Sequence, residues 1–436
     1  MVEPDVADRM RDDWNARARE DAGYYVAFGR RDQSPEEFFS TADEVVKGLR
    51  WELRRLSAGD RKALEIGCGP GRLLRPMSEV FVEIHGVDVS NEMVDRARAN
   101  LAERPNAFAH HTDGATLRAF ADDSFDFVYS YAVFQHIPSS EVVFEYLQHA
   151  HRVLKPGGIL RAQFNGLPAG QSSYDTWSGV RLSASDLLSF AGEHDFQVLA
   201  LEGVSTQYMW STWRKHPRGW FERMFDRQDQ ELELDPQPAI RRITNAESTE
   251  PVAPSRGRYA SISLWIANLP AECGLHHLRV TIGSAFGTVT YIGPPDASRL
   301  QQVNVLLPPL EATGLLPVEV AWLGKLLCPP ATLRVIPPGP QVPRILSVTD
   351  GVNLMSGTTI QTRAVKIVVE ELMHPDEFGA EVGGHPVEDL EIFCTDPRPQ
   401  RFEVNFHLPE ETGSGRQDLI LRIGRRKFGP IPLEVA

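Results

Sequence analysis

The chain has 436 residues and carries 45 Lys and Arg against 59 Asp and Glu, a formal charge of −14. A surface this acidic repels phosphate backbones and argues against nucleic acid as substrate, and no apolar run approaches the ~20 residues that span a bilayer. Four cysteines, Cys68, Cys273, Cys328 and Cys394, are too few for a disulfide scaffold; with an N-terminus too charged for a secretory signal, they point to reduced thiols and a cytoplasmic protein.

The first sixty residues read as two amphipathic helices. Ser34, Pro35 and Glu37 form a start signal, with Ser as N-cap, Pro in the first turn and Glu three residues after the cap; Phe38, Phe39, Val45, Val46, Leu49 and Leu53 follow at near-helical spacing. Then comes LEIGCGPGRL, Leu64 to Leu73, where an apolar strand runs into Gly67, Gly69 and Gly71. Glycine there permits positive φ and a close approach of backbone to ligand. The spacing departs from the dinucleotide fingerprint, and Glu65 before the first glycine suits a ligand with an ammonium group and no phosphate. The next apolar run, VEIHGVDVS, puts Asp88 and Val89 at a strand tip, where a carboxylate accepts from both ribose hydroxyls. Ser90 caps a helix with Met93, Ala97 and Leu101 on one face. A third strand near Asn106 to His111 leads to Asp113, Gly114 and Ala115. A fourth, Phe125 to Tyr131, is followed by a helix from about Ser139 and a fifth strand after VLKPGG. This alternation predicts an α/β, Rossmann-like, doubly wound parallel sheet.

Five motifs in this order resemble the class I S-adenosylmethionine-dependent methyltransferases that act on small molecules, over roughly Trp14 to Lys215. The resemblance implies S-adenosylmethionine as cofactor and S-adenosylhomocysteine as product. It assigns Glu65, Gly67, Gly69 and Gly71 to the methionine part, Asp88 with Val89 to the ribose, Met93 to the adenine face, and Asp113, Gly114 and Ala115 to the adenine amino group. Tyr131 falls in YSYAVFQHIP, the segment that passes the reactive methyl. His136 in that segment is the candidate general base, because imidazole titrates near neutrality; the alternative is a loop-fixing hydrogen bond. Tyr24 and Tyr25 either close over the cofactor, as N-terminal aromatics do in this family, or pack on each other. The resemblance brings no metal ligand, no N-P-P-Y motif and no paired glutamates of the arginine-directed type, so the expected acceptor is a small molecule, methylated without a metal. Two strands, FQVLALEGV and STQYMWSTWRK, complete the seven-stranded sheet usual in the family.

Asn165 to Val180, rich in Gly and Ser, is long enough to act as a substrate lid, and Ser183 to Asp186 opens a further helix. After Lys215 the texture changes. Residues 216–255 read as a charged, Pro-containing connector, and beyond it short alternating runs between Pro/Gly turns predict two β-sandwiches, 256–337 and 342–436. An offset of one hundred places Ile282-Gly283 on Val382-Gly383, Pro309 on Pro409 and Gly324 on Gly424, an internal repeat resembling immunoglobulin-like modules in topology only. With 1–60 as a helical cap and 61–215 as the core, two readings of the whole follow. One is an enzyme methylating a hydroxyl oxygen of a metabolite or glycan, with nitrogen or carbon acceptors open, whose sandwiches mediate homodimer or partner contacts; the other is an inactive methyltransferase fold serving as a scaffold.

Overall fold

The computed structural model describes residues 4–27, 31–168, 174–227, 231, 233–339, 342–397 and 399–436. The chain divides into two compact units: residues 1–19 with 42–339, and 20–41 with 340–436.

The first unit opens with the N-terminal part of α1 (Pro4–Ala27), a helix that leaves helical geometry at Asp21. The start signal at Ser34 is realised in the second unit: Glu37 N–H donates to Ser34 Oγ and Ser34 N–H to Glu37 Oε2, a reciprocal capping box on α2 (Pro35–Ser40). The single helix expected from Ser34 to Leu53 is instead broken, and α3 (Asp43–Glu52) belongs to the first unit, with Val46 and Leu49 buried.

Strands β1 (Lys62–Ile66), β2 (Glu83–Asp88), β3 (Ala107–His111), β4 (Phe125–Ser130), β5 (Leu154–Phe164), β6 (Phe196–Glu202) and β7 (Met209–Lys215) form a sheet in the order β3-β2-β1-β4-β5-β7-β6. The first five are parallel, and β7 pairs antiparallel with β5 and β6. Helices α4 (Leu74–Met77), α5 (Asn91–Asn100), α6 (Ser140–Val153) and α7 (Ala184–Glu193) connect them. Ser90, Ser139 and Ser183 cap α5, α6 and α7 through their hydroxyls, so each helix starts at a fixed point above the sheet. This is the seven-stranded α/β sheet that the resemblance implies, with β7 antiparallel where the alternation alone predicts a parallel strand.

The sheet does not end at β6. After α8 (Trp220–Asp226) come β8 (Ala239–Asn245), β9 (Val252–Pro254), β10 (Ser261–Ala267), β11 (Leu278–Ile282), β12 (Ala285–Ile292), β13 (Leu300–Leu306), β14 (Gly314–Trp322), β15 (Lys325–Leu326) and β16 (Ala331–Ile336). The expected connector 216–255 thus supplies a helix and two strands: β8 pairs with β10, burying Thr244 and Asn245, and β9 runs parallel to β16. β12 meets β6 at Tyr291 and Ala200. Leu275 N–H donates to the Val198 carbonyl, and the buried Gln197 amide donates to the carbonyls of Ala271 and Cys273. One hydrophobic core runs from Leu64 and Phe164 through Trp213 to Ile262, Val303 and Trp322, so this β module is continuous with the α/β sheet.

The second unit contains β17 (Arg344–Asp350), β18 (Thr359–Ile360), β19 (Ala364–Glu370), β20 (Phe378–Val382), β21 (His385–Pro386), β22 (Glu391–Asp396), β23 (Arg401–His407), β24 (Gly415–Ile423) and β25 (Arg426–Val435), packed around its own core of Ile367, Val404, Leu419 and Leu433. Its two sheets, β17-β19-β23-β22 and β18-β25-β24-β20-β21, repeat the pairing of β8-β10-β13-β12 and β9-β16-β14-β11-β12. The repeat extends to the turns, where Gly283 and Gly383 have φ of 60° and 59°, and Gly324 and Gly424 have 77° and 58°.

Candidate functional site

The carboxyl ends of β1, β2 and β4 gather the sequence-predicted residues of the first unit. Gly67, Gly69 and Gly71 all have positive φ, 73°, 51° and 85°. The physical reason differs from the one expected for Gly67. A Cβ there would lie 2.2 Å from Val133 Cγ2, so its bareness serves the seating of the loop after β4. A Cβ on Gly71 would instead face Ala97 of α5 at ordinary contact distance, which leaves positive φ as the constraint there. The turn is pinned by Gly67 and Cys68 N–H groups donating to the Val87 carbonyl.

Asp88 sits beside this turn. Its Oδ2 accepts from Gly69 N–H at 2.8 Å and its Oδ1 from Ser90 N–H at 2.9 Å, which fixes the carboxylate plane. Burial raises its pKa despite those amides. Glu65, 3% exposed, is more extreme: burial pushes its carboxyl up to about 8, against the lowering effect of the Tyr129 hydroxyl, which donates to Oε2 at 3.0 Å, and of the Arg72 charge. A buried carboxyl kept largely protonated in spite of the Arg72 charge, one step from an oriented carboxylate at a strand tip, fits a ligand bearing an ammonium group and a ribose diol.

Asp113 turns inward on its own loop. Oδ1 accepts from Ala115 and Thr116 N–H and Oδ2 from the Thr116 hydroxyl; burial would raise its pKa, but these bonds outweigh that and hold it below the ordinary value. A Cβ on Gly114 would come within 2.9 Å of Val89 Cγ2, which joins these two predicted positions. Met93 is 1% exposed beneath the Ser90 cap. Tyr131 stacks on Trp210 with centroids 5.5 Å apart, and the Arg72 guanidinium lies 5.4 Å from its ring. Tyr25 belongs to the second unit, where its hydroxyl donates to Glu20 and Arg31 lies over its ring.

His136 is buried, and burial pushes its imidazole down to about 4. Nδ1 lies 2.8 Å from the Trp177 carbonyl, which only accepts, so Nδ1 carries the proton; Nε2, 3.2 Å from Gln135 Nε2, accepts from that amide. Both nitrogens are engaged and the ring is neutral at pH 7. Gln135 in turn accepts at Oε1 from Gln163, whose Oε1 accepts from Ala132 N–H. Ala132 has φ of 55°, so this buried amide chain holds the loop after β4 in a left-handed turn.

Several residues of the site had no assignment from the sequence. Asn15 of α1 accepts at Oδ1 from the Ser90 hydroxyl and Glu92 N–H, tying the helix to the loop after β2. Trp14 meets His136 edge to face at 5.5 Å. Arg17 donates to the Thr176 carbonyl and hydroxyl, and Thr176 donates to Asp13. Residues 169–173 of the expected lid lie outside the described residues, but 174–180 are tied down: Gly179 and Val180 N–H donate to the Gln135 and Ile137 carbonyls. A Cβ on Gly179 would lie 2.6 Å from Gln135 O. The N-terminal helix and this loop therefore roof the strand ends together. Its parts are the ones read from the sequence as a cap and a lid; Trp14, Asn15 and Arg17, which join them, carried no signal there.

Residues 64–162 match the family model described as a methyltransferase domain. They form a class I S-adenosylmethionine-dependent methyltransferase domain. Among curated proteins the chain is similar to phosphoethanolamine N-methyltransferase 2 of Caenorhabditis elegans, 34% identical over 112 residues, covering 25% of each chain. It is also similar to the ubiquinone biosynthesis O-methyltransferase of Bartonella tribocorum, 25% identical over 139 residues, covering 31% of this chain and 53% of that one. The chain thus spans a quarter to about half of these relatives. Magnesium protoporphyrin IX methyltransferase from Synechocystis PCC 6803 aligns with a TM-score of 0.37 and 18% identity, over 49% of this chain and 99% of that one.

Proposed function

We propose that the chain transfers a methyl group from S-adenosylmethionine to a small molecule, and that Glu65 and Asp88 hold the donor. The observation that carries this is the buried Glu65 carboxyl, raised to about 8 and bonded by the Tyr129 hydroxyl, beside an oriented Asp88. Glu65 would pair with the ammonium of the methionine part, Asp88 would accept from the ribose hydroxyls, and the Asp113 to Ala115 turn and Met93 would border the adenine. S-adenosylmethionine supplies an activated electrophile, so the protein's task is alignment and exclusion of water. The roof of α1 and 174–180 performs that exclusion, with His136 as the anchor of its loop. A neutral imidazole with both nitrogens engaged is a poor base, and the acceptor must arrive as a competent nucleophile. A phenolic or similarly acidic hydroxyl meets this requirement, and the relatives named as ubiquinone O-methyltransferases support oxygen. The relative named as a phosphoethanolamine N-methyltransferase supports an amine as the second reading.

Calorimetric titration of the full chain with S-adenosylmethionine tests the donor assignment. Saturable binding that is lost in Asp88→Ala is expected; no binding at millimolar donor would favour the scaffold reading. Mass spectrometry of a metabolite extract incubated with labelled donor then separates oxygen from nitrogen products. A cytoplasmic setting is supported by four free thiols, three of them buried, and among the described residues no helix is long and apolar enough to cross a membrane. The expected homodimer or partner contact is assigned to the second β unit, since the first module is committed to β6. Light scattering of the chain with and without 340–436 tests that role.

A further inference from the structure

Where the first β module caps the sheet, a cavity of about 370 Å³ opens between Arg54 and Arg55 just after α3, strands β6 and β7, and the loops of the module. Its polar lining is unbalanced: Arg54, Arg55, Arg214 and Arg299 face Asp235 and Asp296. The Asp296 carboxylate is turned onto Ser298 and Leu300 N–H groups. Glu52, buried beside the cavity, is taken by Arg55, whose side chain is 2% exposed and whose Nη2 has no hydrogen-bond acceptor. Arg214 has no carboxylate partner among the described residues; its one hydrogen bond is a long one, 3.4 Å, to the Arg55 carbonyl. Burial and the neighbouring Arg55 charge both push its pKa down, as for a guanidinium lacking an anion. Leu199, Leu269 and Ile292 supply an apolar wall.

A partly buried arginine held next to a second arginine is costly unless an anion completes the group. We propose that this cavity binds a small organophosphate, whose phosphate is held by Arg214 and Arg299 in the field of Arg55 and whose apolar body lies on Leu199, Leu269 and Ile292. Phosphate is chosen over a single carboxylate because four arginines line the cavity, and a dianion with three terminal oxygens can engage more than one fork. The volume is at the lower end of small-molecule sites. The cavity lies beyond the β6 edge, built from residues apart from the Glu65 and Asp88 cluster, so the proposal is independent of the methyl donor.

The test is calorimetric titration of the full chain with phenyl phosphate at constant ionic strength, with inorganic phosphate and phenylacetate as comparison probes. Saturable binding of phenyl phosphate is expected, tighter than either comparison probe. Arg214→Gln and the exposed Arg299→Gln should each weaken it about tenfold or more, while both variants keep a cooperative thermal melt. Absence of binding up to about 10 mM, equal affinity in both folded variants, or tighter binding of phenylacetate would overturn the proposal.

Discussion

Replacing Glu65 by Gln probes the site through its protons. The Glu65 carboxyl is raised from an ordinary 4.5 to about 8. At about 1.4 kcal/mol per unit this corresponds to an upper limit of about 5 kcal/mol. The sign follows from linkage. Below pH 4.5 both folded and unfolded carboxyls are protonated and the stability is fully present. From there up to about 8 only the unfolded chain releases the proton, so stability declines as pH rises through the folded value. Glu65→Gln, which keeps an acceptor for Tyr129, should flatten that decline in urea melts taken from pH 5 to 9. A cationic donor demands the ionised carboxylate. Its binding at pH 7 should therefore release most of one proton, and its affinity should pass through a shallow maximum near pH 8, because the donor's own α-ammonium, with a pKa of about 7.7–8.0, deprotonates as Glu65 ionises. Calorimetry in two buffers of different ionisation enthalpy measures the release. Proton release near zero at pH 7, or release undiminished in Glu65→Gln, would refute the pairing of Glu65 with the donor's ammonium.

Three further outcomes follow from the geometry. Gly67→Ala adds a methyl 2.2 Å from Val133 Cγ2 at φ 73°, and should cost about 2–4 kcal/mol in urea unfolding. Val133→Ala in the same chain should restore about half of that, and a loss below about 0.5 kcal/mol would contradict the packing role. Because His136 is pushed down to about 4 and bonded at both nitrogens, the pH–rate profile should show no inflection near 6.5. His136→Ala should speed proteolysis at 174–180 and raise KM more than it lowers kcat; loss of kcat alone, together with loss of an inflection, would restore the base role. A chain truncated after Glu250 loses Tyr291, the partner of Trp51, and the acceptors of Gln197. It should be insoluble or melt without cooperativity, and a soluble, cooperatively folded 1–250 fragment would refute the continuity of the core.

What was legible in the sequence is what local chemistry encodes. Gly67, Gly69 and Gly71 after an apolar strand, Asp88 at a strand tip, and serine caps at Ser90, Ser139 and Ser183 each carry their reason within a few residues, and the alternation gives the layered α/β class though not the strand order. The repeat was visible for the same reason: Gly283 and Gly383, and Gly324 and Gly424, mark turns that need positive φ. The side chains that tie the roof together were not legible, because Asn15 and Arg17 act through pairs 75 and 159 residues away and sit in a charged helix without an apolar stripe. β8 was hidden because AIRRITN shows no apolar/polar alternation and follows a Pro-containing, acidic stretch.

The fate of the β6 edge was the hardest to foresee, and it explains why the chain is so long. β6 is almost wholly buried, so its apolar run announces that both faces are covered, yet nothing in that run says what covers the edge. An uncovered edge strand of this composition invites pairing with another chain. Here Tyr291 pairs with Ala200, Leu275 N–H reaches the Val198 carbonyl, and Gln197 spends its amide on two carbonyls of the same module. Closing the edge with a β module also creates a seam between two element types, and the cavity lined by Arg54, Arg55, Arg214 and Arg299 lies in that seam. An arginine such as Arg214, without a carboxylate partner among the described residues, is a poor device for joining two layers, since apolar side chains of similar volume would pack there at lower cost. Its presence in the seam is accounted for by a ligand, and the phenyl phosphate titration measures that account directly.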